Sequence, residues 1–319
     1  MEAWGFEFPF NSRQIFLPEW EELWLRFLIA RYDAYSCVAC WTLMNEYEYY
    51  PNGDWHYKPV ADRWALRVGR WVKRVAGHGH IVAIHNGPRE PVFAARFAAD
   101  PGAIDLILFQ DWGTRDREDG WLAAGIDEQI DRSFADWGGA AIFAEWGYER
   151  NPDLPLLVPA HEWCDRDHSR RGAWRGASQG LGLIHGFENT WGPWAILDRD
   201  QPGMDDFLHL RRFFTALVPF HELRPAQELL LSRNDDPECR ISVLASADRR
   251  IVAAYLPLGR HIQLQEPAGL AHTARWFLPS TGELRPATRE HNRWYNSPED
   301  DASTEERPLD WVLLLTSDE

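Results

Sequence analysis

The stretch CWTLMNEYEYYPNGDWHY, residues 40–57, contains the pattern from which we predict the fold. A short apolar run, typical of a buried strand, ends at Asn45 and Glu46 and passes directly into a loop rich in Tyr and Trp. Similar apolar runs alternate with longer helical patterns over the first two thirds of the chain. This alternation predicts βα units and a parallel sheet whose strands are buried on both faces.

Polar and aromatic residues gather where these apolar runs end. The five groups are Asn45 with Glu46, His85 with Asn86, Gln110 with Asp111 and Trp112, Glu145 with Trp146, and Glu188 with Asn189 and Trp191. The carboxyl ends of parallel strands share one rim, and that rim carries the active site in (β/α) barrels. No GxGxxG motif follows a predicted strand, which argues against a dinucleotide-binding sheet.

The last third of the chain has a different pattern. After Pro225, short β-like runs are separated by turn residues, which predicts an antiparallel β-sandwich. We therefore expect a (β/α)-barrel domain in residues 1–222 and a β-sandwich accessory domain in residues 223–319. A length of 319 residues, with 45% apolar residues, fits a large domain followed by a small one.

The amino-acid composition indicates which classes of binding partner to expect. A net charge of −16 argues against nucleic acid and against an anionic membrane surface. We predict no membrane-spanning helix, and no signal peptide is visible, so localisation stays open: cytoplasmic as encoded, secreted if an N-terminal region is missing. Cys37 and Cys40 lie three apart on a strand-like run and face opposite ways, so we expect reduced core thiols. The 18 Trp residues favour sugar binding, because sugar rings stack on indole.

Two other motifs suggest different chemistry. GASQG, residues 176–180, matches the nucleophile elbow of serine hydrolases, but a helical pattern precedes it and a strand follows, the reverse of what the elbow needs. His78 and His80 precede the strand that His85 ends, and five strand residues span roughly 15 Å. The histidines of HEWCDRDH, residues 161–168, are seven apart. We therefore predict neither a metal nor another cofactor.

Glu46 and Glu145 form the stronger signal. Glycoside hydrolysis requires two carboxyl groups that flank the bond, one to protonate the leaving oxygen and one to attack or to activate water. Both glutamates end an apolar run, both are followed at once by an aromatic residue, and both are expected on the same rim. Asn45 stands next to Glu46, where its amide can bind a sugar hydroxyl.

At these motifs the chain resembles a family of enzymes. WTLMNE resembles the Asn–Glu strand end of the large retaining (β/α)₈ glycoside hydrolase clan, and AAIFAEWGYE resembles the nucleophile strand of its apiosidase-like members. RRGAWRGASQGLGLIHG resembles their following helix and last strand. AAYLPLGRHIQL, ARWFLPSTGEL and DWVLLL resemble their small C-terminal sandwich, usually named a collagen-binding domain, a name that we do not take as evidence of collagen binding.

The resemblance implies a retaining hydrolase of plant or microbial polysaccharide. Glu46 would be the general acid/base, Glu145 the nucleophile, and Asn45 a ligand of the sugar at the cleaved bond. The other residues expected at the substrate are Tyr47, Trp55, His85, Gln110, Trp112, Trp146, Tyr148 and Trp191.

The chain also departs from this family. The first two barrel strands have no counterpart, so we expect an incomplete barrel, whose open edge a second copy of the chain could cover. The alternative function is a non-catalytic carbohydrate-binding or degenerate glycosidase-like protein.

Overall fold

The structure is a computed structural model, which describes residues 18–49, 57, 59–87, 94–110, 130–131, 134–146, 148–149, 163–186, 203–236, 239–266, 269–299, 303–304 and 308–317. The chain divides into two compact units. The first comprises Met1–Trp112 and Glu128–Glu145, and the second Gly113–Asp127 and Trp146–Glu319.

Among its described residues, the first unit contains four parallel strands and three α-helices. The strands are β1 (Cys40–Thr42), β2 (Ile81–His85), β3 (Leu106–Gln110) and β4 (Ala140–Glu145), which are neighbours in chain order. The helices are α1 (Pro18–Tyr32), α2 (Pro59–Val75) and the short α3 (Ala95–Ala98). Because the strands are parallel, their last residues meet at one rim.

Helix α2 shows how sequence spacing produces this packing. Its buried residues recur three and four positions apart, as on one face of a helix: Ala61, Trp64, Ala65, Val68, Gly69 and Val72. Gly69 allows a close approach, because a Cβ there would collide with the carbonyl oxygen of Ala103.

Helix α1 packs on α2 through polar contacts. The buried Glu21 carboxylate accepts hydrogen bonds from the Trp64 indole and from Arg67. On another side of α1, Leu23 and Phe27 are 58% and 53% exposed. The association of two copies, expected from the sequence, stays a prediction.

The second unit contains a small α/β part and a larger antiparallel part. The α/β part has β5 (Tyr148–Glu149), β6 (Trp163–Cys164), α4 (Arg166–Ser178), β7 (Gly182–Leu183) and α5 (Met204–Arg212). The remaining strands are β8 (Leu223–Pro225), β9 (Ser242–Ser246), β10 (Ile251–Leu256), β11 (His261–Gln263), β12 (Thr273–Leu278), β13 (Glu283–Pro286), β14 (Trp294–Asn296) and β15 (Trp311–Thr316).

These strands form a six-stranded sheet in the order β13-β12-β15-β10-β9-β8 and a two-stranded sheet of β11 and β14. One face of the large sheet shares a core with Ile262 of β11 and Tyr295 of β14. The other face packs on Trp174 of α4 and on Phe213, just after α5. The α/β class with a C-terminal β domain, predicted from the sequence, is therefore confirmed.

Helix α4 is buried from Ser169 to its end at Ser178. The Asp165 side chain caps it by accepting a hydrogen bond from the backbone N–H of His168 (2.9 Å). At the other end, Gly180 has φ +88° and the Leu181 N–H donates to the carbonyl of Gly176 (3.1 Å). The GASQG motif is thus a helix-terminating turn and not a strand-to-helix elbow.

Some local predictions were wrong. After Pro225, where the sequence predicts short β-like runs, the chain forms a 3₁₀ turn at Gln227–Leu229. Cys37 is exposed and Cys40 is half-buried, so neither lies in the core as expected, although both are reduced thiols. No helix in the described ranges is long and apolar enough to cross a membrane.

Candidate active site

Glu46 lies four residues beyond β1, in the turn that follows a short extension of that strand. The Leu43 N–H donates to the carbonyl of Ala83 in β2 (3.0 Å), and Leu43 and Met44 are buried. Asn45 and Glu46 follow, both half-buried. Glu46 has φ +49°, in the left-handed region, which costs a non-glycine residue about 1 kcal/mol or more.

Glu145 is the last residue of β4, and two predicted site residues lie beside it. A bulge in the β3–β4 pairing places Gln110 opposite Glu145. His85, the last residue of β2, has its Nε2 atom 3.6 Å from Glu145 Oε2. The sheet therefore brings His85, Gln110 and Glu145 together at one rim.

The His85 ring is wholly buried at this rim. Burial lowers the pKa of His85 from 6.5 to about 4. The imidazole is therefore uncharged near neutral pH. An uncharged neighbour leaves the negative charge of Glu145 available, whereas an imidazolium would neutralise it.

The Asn86 side chain connects the ends of β2 and β3 through hydrogen bonds. Its Oδ1 accepts from the backbone N–H of Gln110 (2.6 Å), and its Nδ2 donates to the carbonyl of Gln110 (2.8 Å) and to that of Gly87 (2.9 Å). The side chain thus continues the strand pairing, which fixes the backbone on both sides of Gln110.

Two buried acceptors lie at the same rim. Asn45 Oδ1 and Gln110 Oε1 are both buried, and neither accepts a hydrogen bond from the part of the chain that the structure describes. Buried polar atoms are nearly always hydrogen-bonded in native proteins. Donors such as sugar hydroxyl groups would satisfy both atoms.

Tyr47 occupies a different environment from the one expected. Its side chain is fully buried, and its hydroxyl donates to Asp62 (2.8 Å) and accepts from Arg96 (3.1 Å). The next residue, Glu48, is also fully buried and accepts from the backbone N–H of Gly87 (2.7 Å). Reasoning from the sequence missed Glu48, Asp62 and Arg96, since nothing in their local patterns marks them.

Of the five other residues predicted to contact the substrate, the structure describes the side chain of one. Trp146, in the second unit, is buried, and its ring stacks on Phe207 at 6.1 Å between centroids. The side chains of Trp55, Trp112, Tyr148 and Trp191 lie outside the described residues.

The second unit holds a buried acid that the sequence did not reveal. Glu149 accepts from the Gly203 N–H (2.6 Å), and its Oε2 lies 3.0 Å from His185 Nε2. Ser169 Oγ is 2.9 Å from the same ring nitrogen. A catalytic triad needs the serine at one ring nitrogen of the histidine and the acid at the other. Because Ser169 and Glu149 both contact Nε2, this group does not have the arrangement of a triad.

The histidines before β2 serve a structural purpose. Asp33 is buried and accepts hydrogen bonds from the Trp41 indole (3.1 Å) and the backbone N–H groups of Gly77 and His78. His80 Nδ1 lies 2.9 Å from the same carboxylate. The described residues contain no group of three side chains suited to hold a metal ion.

Comparison with known protein families supports the predicted resemblance of the C-terminal β domain. Residues 224–316 match the family model described as "Putative collagen-binding domain of a collagenase". A search of curated proteins finds no match.

Solved structures show the fold. A family 5 glycoside hydrolase from Bacteroides vulgatus has a TM-score of 0.69 and 18% identity, covering 94% of this chain and 66% of its own. A second glycoside hydrolase has a TM-score of 0.69 and 16% identity, covering 92% and 68%. An Anoxybacillus α-amylase has a TM-score of 0.52 and 10% identity, covering 95% and 64%. The chain thus has the fold of glycoside hydrolases and spans about two thirds of their length.

Proposed function

We propose that this chain is a retaining glycoside hydrolase in which Glu46 is the general acid/base and Glu145 the nucleophile. One observation carries the proposal: Glu46 and Glu145 lie at the carboxyl ends of parallel strands of the same sheet, at the rim where Asn45 and Gln110 hold buried acceptors that no described residue donates to. The solved structures support the fold, and the chemistry rests on these side chains.

The reaction proceeds in two displacements. In the first, a Glu145 oxygen attacks the anomeric carbon while Glu46 gives its proton to the glycosidic oxygen, so that the glycosidic bond breaks and a glycosyl ester forms on Glu145. In the second, Glu46 takes a proton from water as the water oxygen attacks the anomeric carbon and releases Glu145. Asn45 and Gln110 accept hydrogen bonds from sugar hydroxyls throughout.

Substrate is expected to be a plant or microbial polysaccharide or an oligosaccharide derived from one. The experiment is a screen of plant oligosaccharides with the wild type, with Glu145→Gln and with Glu22→Gln, a control on the exposed surface of α1. We expect hydrolysis by the wild type and the control, and a loss of at least about 10³-fold in Glu145→Gln, since the nucleophile is removed while the shape is kept. Full activity in Glu145→Gln would reject the assignment.

Stereochemistry tests the mechanism separately. NMR of the first product should show the anomer of the substrate, and a 2-deoxy-2-fluoro glycoside should label the peptide that contains Glu145. A product of inverted configuration, or a label on another residue, would remove the nucleophile role from Glu145.

A second candidate function is a non-catalytic carbohydrate-binding protein. The observation that favours it is the pair of buried acceptors on Asn45 and Gln110, which would bind sugar hydroxyls whether or not a bond is cleaved. Calorimetry that detects oligosaccharide binding while the screen detects no hydrolysis would select this function.

A further inference from the structure

We infer that a buried cluster next to the strand end, formed by Tyr47, Glu48, Asp62 and Arg96 and called here the Arg96 cluster, positions Glu46 for proton donation to the leaving group. The inference rests on the proposed function. It assigns positioning roles to residues that do not themselves touch the substrate.

The backbone of Glu46 requires such support. Among the described residues of the first unit, Glu46 is the one non-glycine residue with positive φ. A strained backbone persists where the surrounding contacts hold it in place. Those contacts begin with the next two residues, because Tyr47 and Glu48 are both fully buried.

Arg96 links the members of the cluster. Its Nη1 donates to the Tyr47 hydroxyl (3.1 Å) and lies 3.5 Å from Glu48 Oε1 and 3.9 Å from Asp62 Oδ1. The guanidinium also stacks on the Tyr57 ring at 4.0 Å, and Tyr57 donates to Asp62. Phe97, next to Arg96 in α3, contacts the Tyr47 ring at 5.6 Å between centroids.

Arg96 keeps its positive charge and Tyr47 keeps its hydroxyl proton. Burial by itself lowers the pKa of Arg96, but Tyr47, Glu48 and Asp62 more than offset this and raise it overall, so the guanidinium stays charged. Burial, followed by the charges of Glu48 and Asp62, raises the pKa of Tyr47 well above its usual value. Tyr47 therefore remains a hydroxyl donor to Asp62.

Glu48 connects the loop of Glu46 to the next strand. Its carboxylate accepts from the backbone N–H of Gly87, two residues after His85. The Glu48 carboxylate therefore links the backbone near Glu46, the proposed acid, to the end of β2. The last residue of β2, His85, lies beside the proposed nucleophile Glu145. The cluster thus fixes the position of Glu46 relative to the strand ends.

The chemistry gives this role a distinctive signature. A poor leaving group, such as methoxide, needs a proton from the acid, whereas 2,4-dinitrophenolate leaves readily without one. A misplaced acid therefore slows only the cleavage of substrates with poor leaving groups. A general loss of structure slows the cleavage of both.

The experiment uses the full chain and two glycosides of the sugar found in the screen, the methyl and the 2,4-dinitrophenyl glycoside. The variants are Glu48→Gln, which removes a charge, and Tyr47→Phe, which removes one hydroxyl and suits the case in which Glu48→Gln fails to fold. We expect kcat/KM for the methyl glycoside to fall about 10–100-fold, since small misplacements of a reacting group cost that much. For the dinitrophenyl glycoside we expect a change of less than about threefold.

The matched control is Asp33→Asn. Asp33 is a buried carboxylate with several hydrogen bonds, like Glu48, but it lies before β1, at the other end of that strand. It should lower stability without changing the ratio of the two kcat/KM values. Equal losses on both glycosides, or no loss on either, in the Tyr47 and Glu48 variants would overturn the inference while the proposed function stands. A wild type that cleaves neither glycoside would overturn both.

Discussion

The buried pair of Arg170 and Asp310 allows a quantitative test of how α4 is held on the C-terminal sheet. Asp310 is fully buried and accepts hydrogen bonds from two nitrogens of Arg170, Nε (3.0 and 3.2 Å) and Nη2 (2.8 Å). The Tyr255 hydroxyl donates to the same carboxylate (3.2 Å). The perturbation is Asp310→Asn, which keeps the shape and removes the charge.

The expected loss follows from what remains around Arg170. Removing one partner of a buried ion pair costs about 3–5 kcal/mol, because the other charge is left without compensation. Arg170 keeps Asp167 at 2.8 Å and Asp206 at 3.2 Å, so we expect the lower end, about 3 kcal/mol. At about 2–4 °C per kcal/mol, Tm should fall by roughly 6–12 °C.

Urea and thermal unfolding, followed by Trp fluorescence, measure this loss, because Trp174, Trp276 and Trp311 are buried in the same unit. The control is Asp235→Asn, whose ion pair with Arg233 lies on the surface and should leave Tm unchanged. A loss below about 1 kcal/mol in Asp310→Asn would refute the reasoning, since the buried charge of Arg170, left with less compensation, must cost more.

Two further predictions concern the first unit. Because the pKa of His85 is about 4 in the folded chain and 6.5 when unperturbed, stability should be unaffected by His85 above about pH 6.5 and fall by up to about 3 kcal/mol as the pH drops to 4. Urea unfolding from pH 7 to 4.5 should show a shallower decline in His85→Asn, and equal slopes would contradict the assignment. Gly69→Ala should lower stability by about 1–3 kcal/mol, because the new Cβ meets the Ala103 carbonyl. Gly138→Ala, where no described atom lies within 4 Å of the new Cβ, should change stability by less than about 0.5 kcal/mol, and equal losses would exclude the close approach as the cause.

The sequence predicted the repeating elements of the first unit well. The runs that end at His85, Gln110 and Glu145 are the strands β2, β3 and β4, because a short apolar run between helical patterns has few other uses. The order of the elements also predicted that their polar ends share a rim. Short strands with mixed faces, such as β13 and β14, are hard to recognise in the sequence, because their alternation is too brief to distinguish from a turn.

The sequence alone therefore determined the parallel βα class and the antiparallel C-terminal domain. It also identified Glu46 and Glu145 as the candidate catalytic pair. Only the tertiary structure revealed the cluster around Arg96, the Asn86 bridge and the pair of Arg170 with Asp310. The physical reason is distance along the chain: these contacts join residues 15 to 140 positions apart, so no local pattern contains both partners. Period and composition identify where a strand ends with an acid, whereas folding decides which distant charges hold that acid in place.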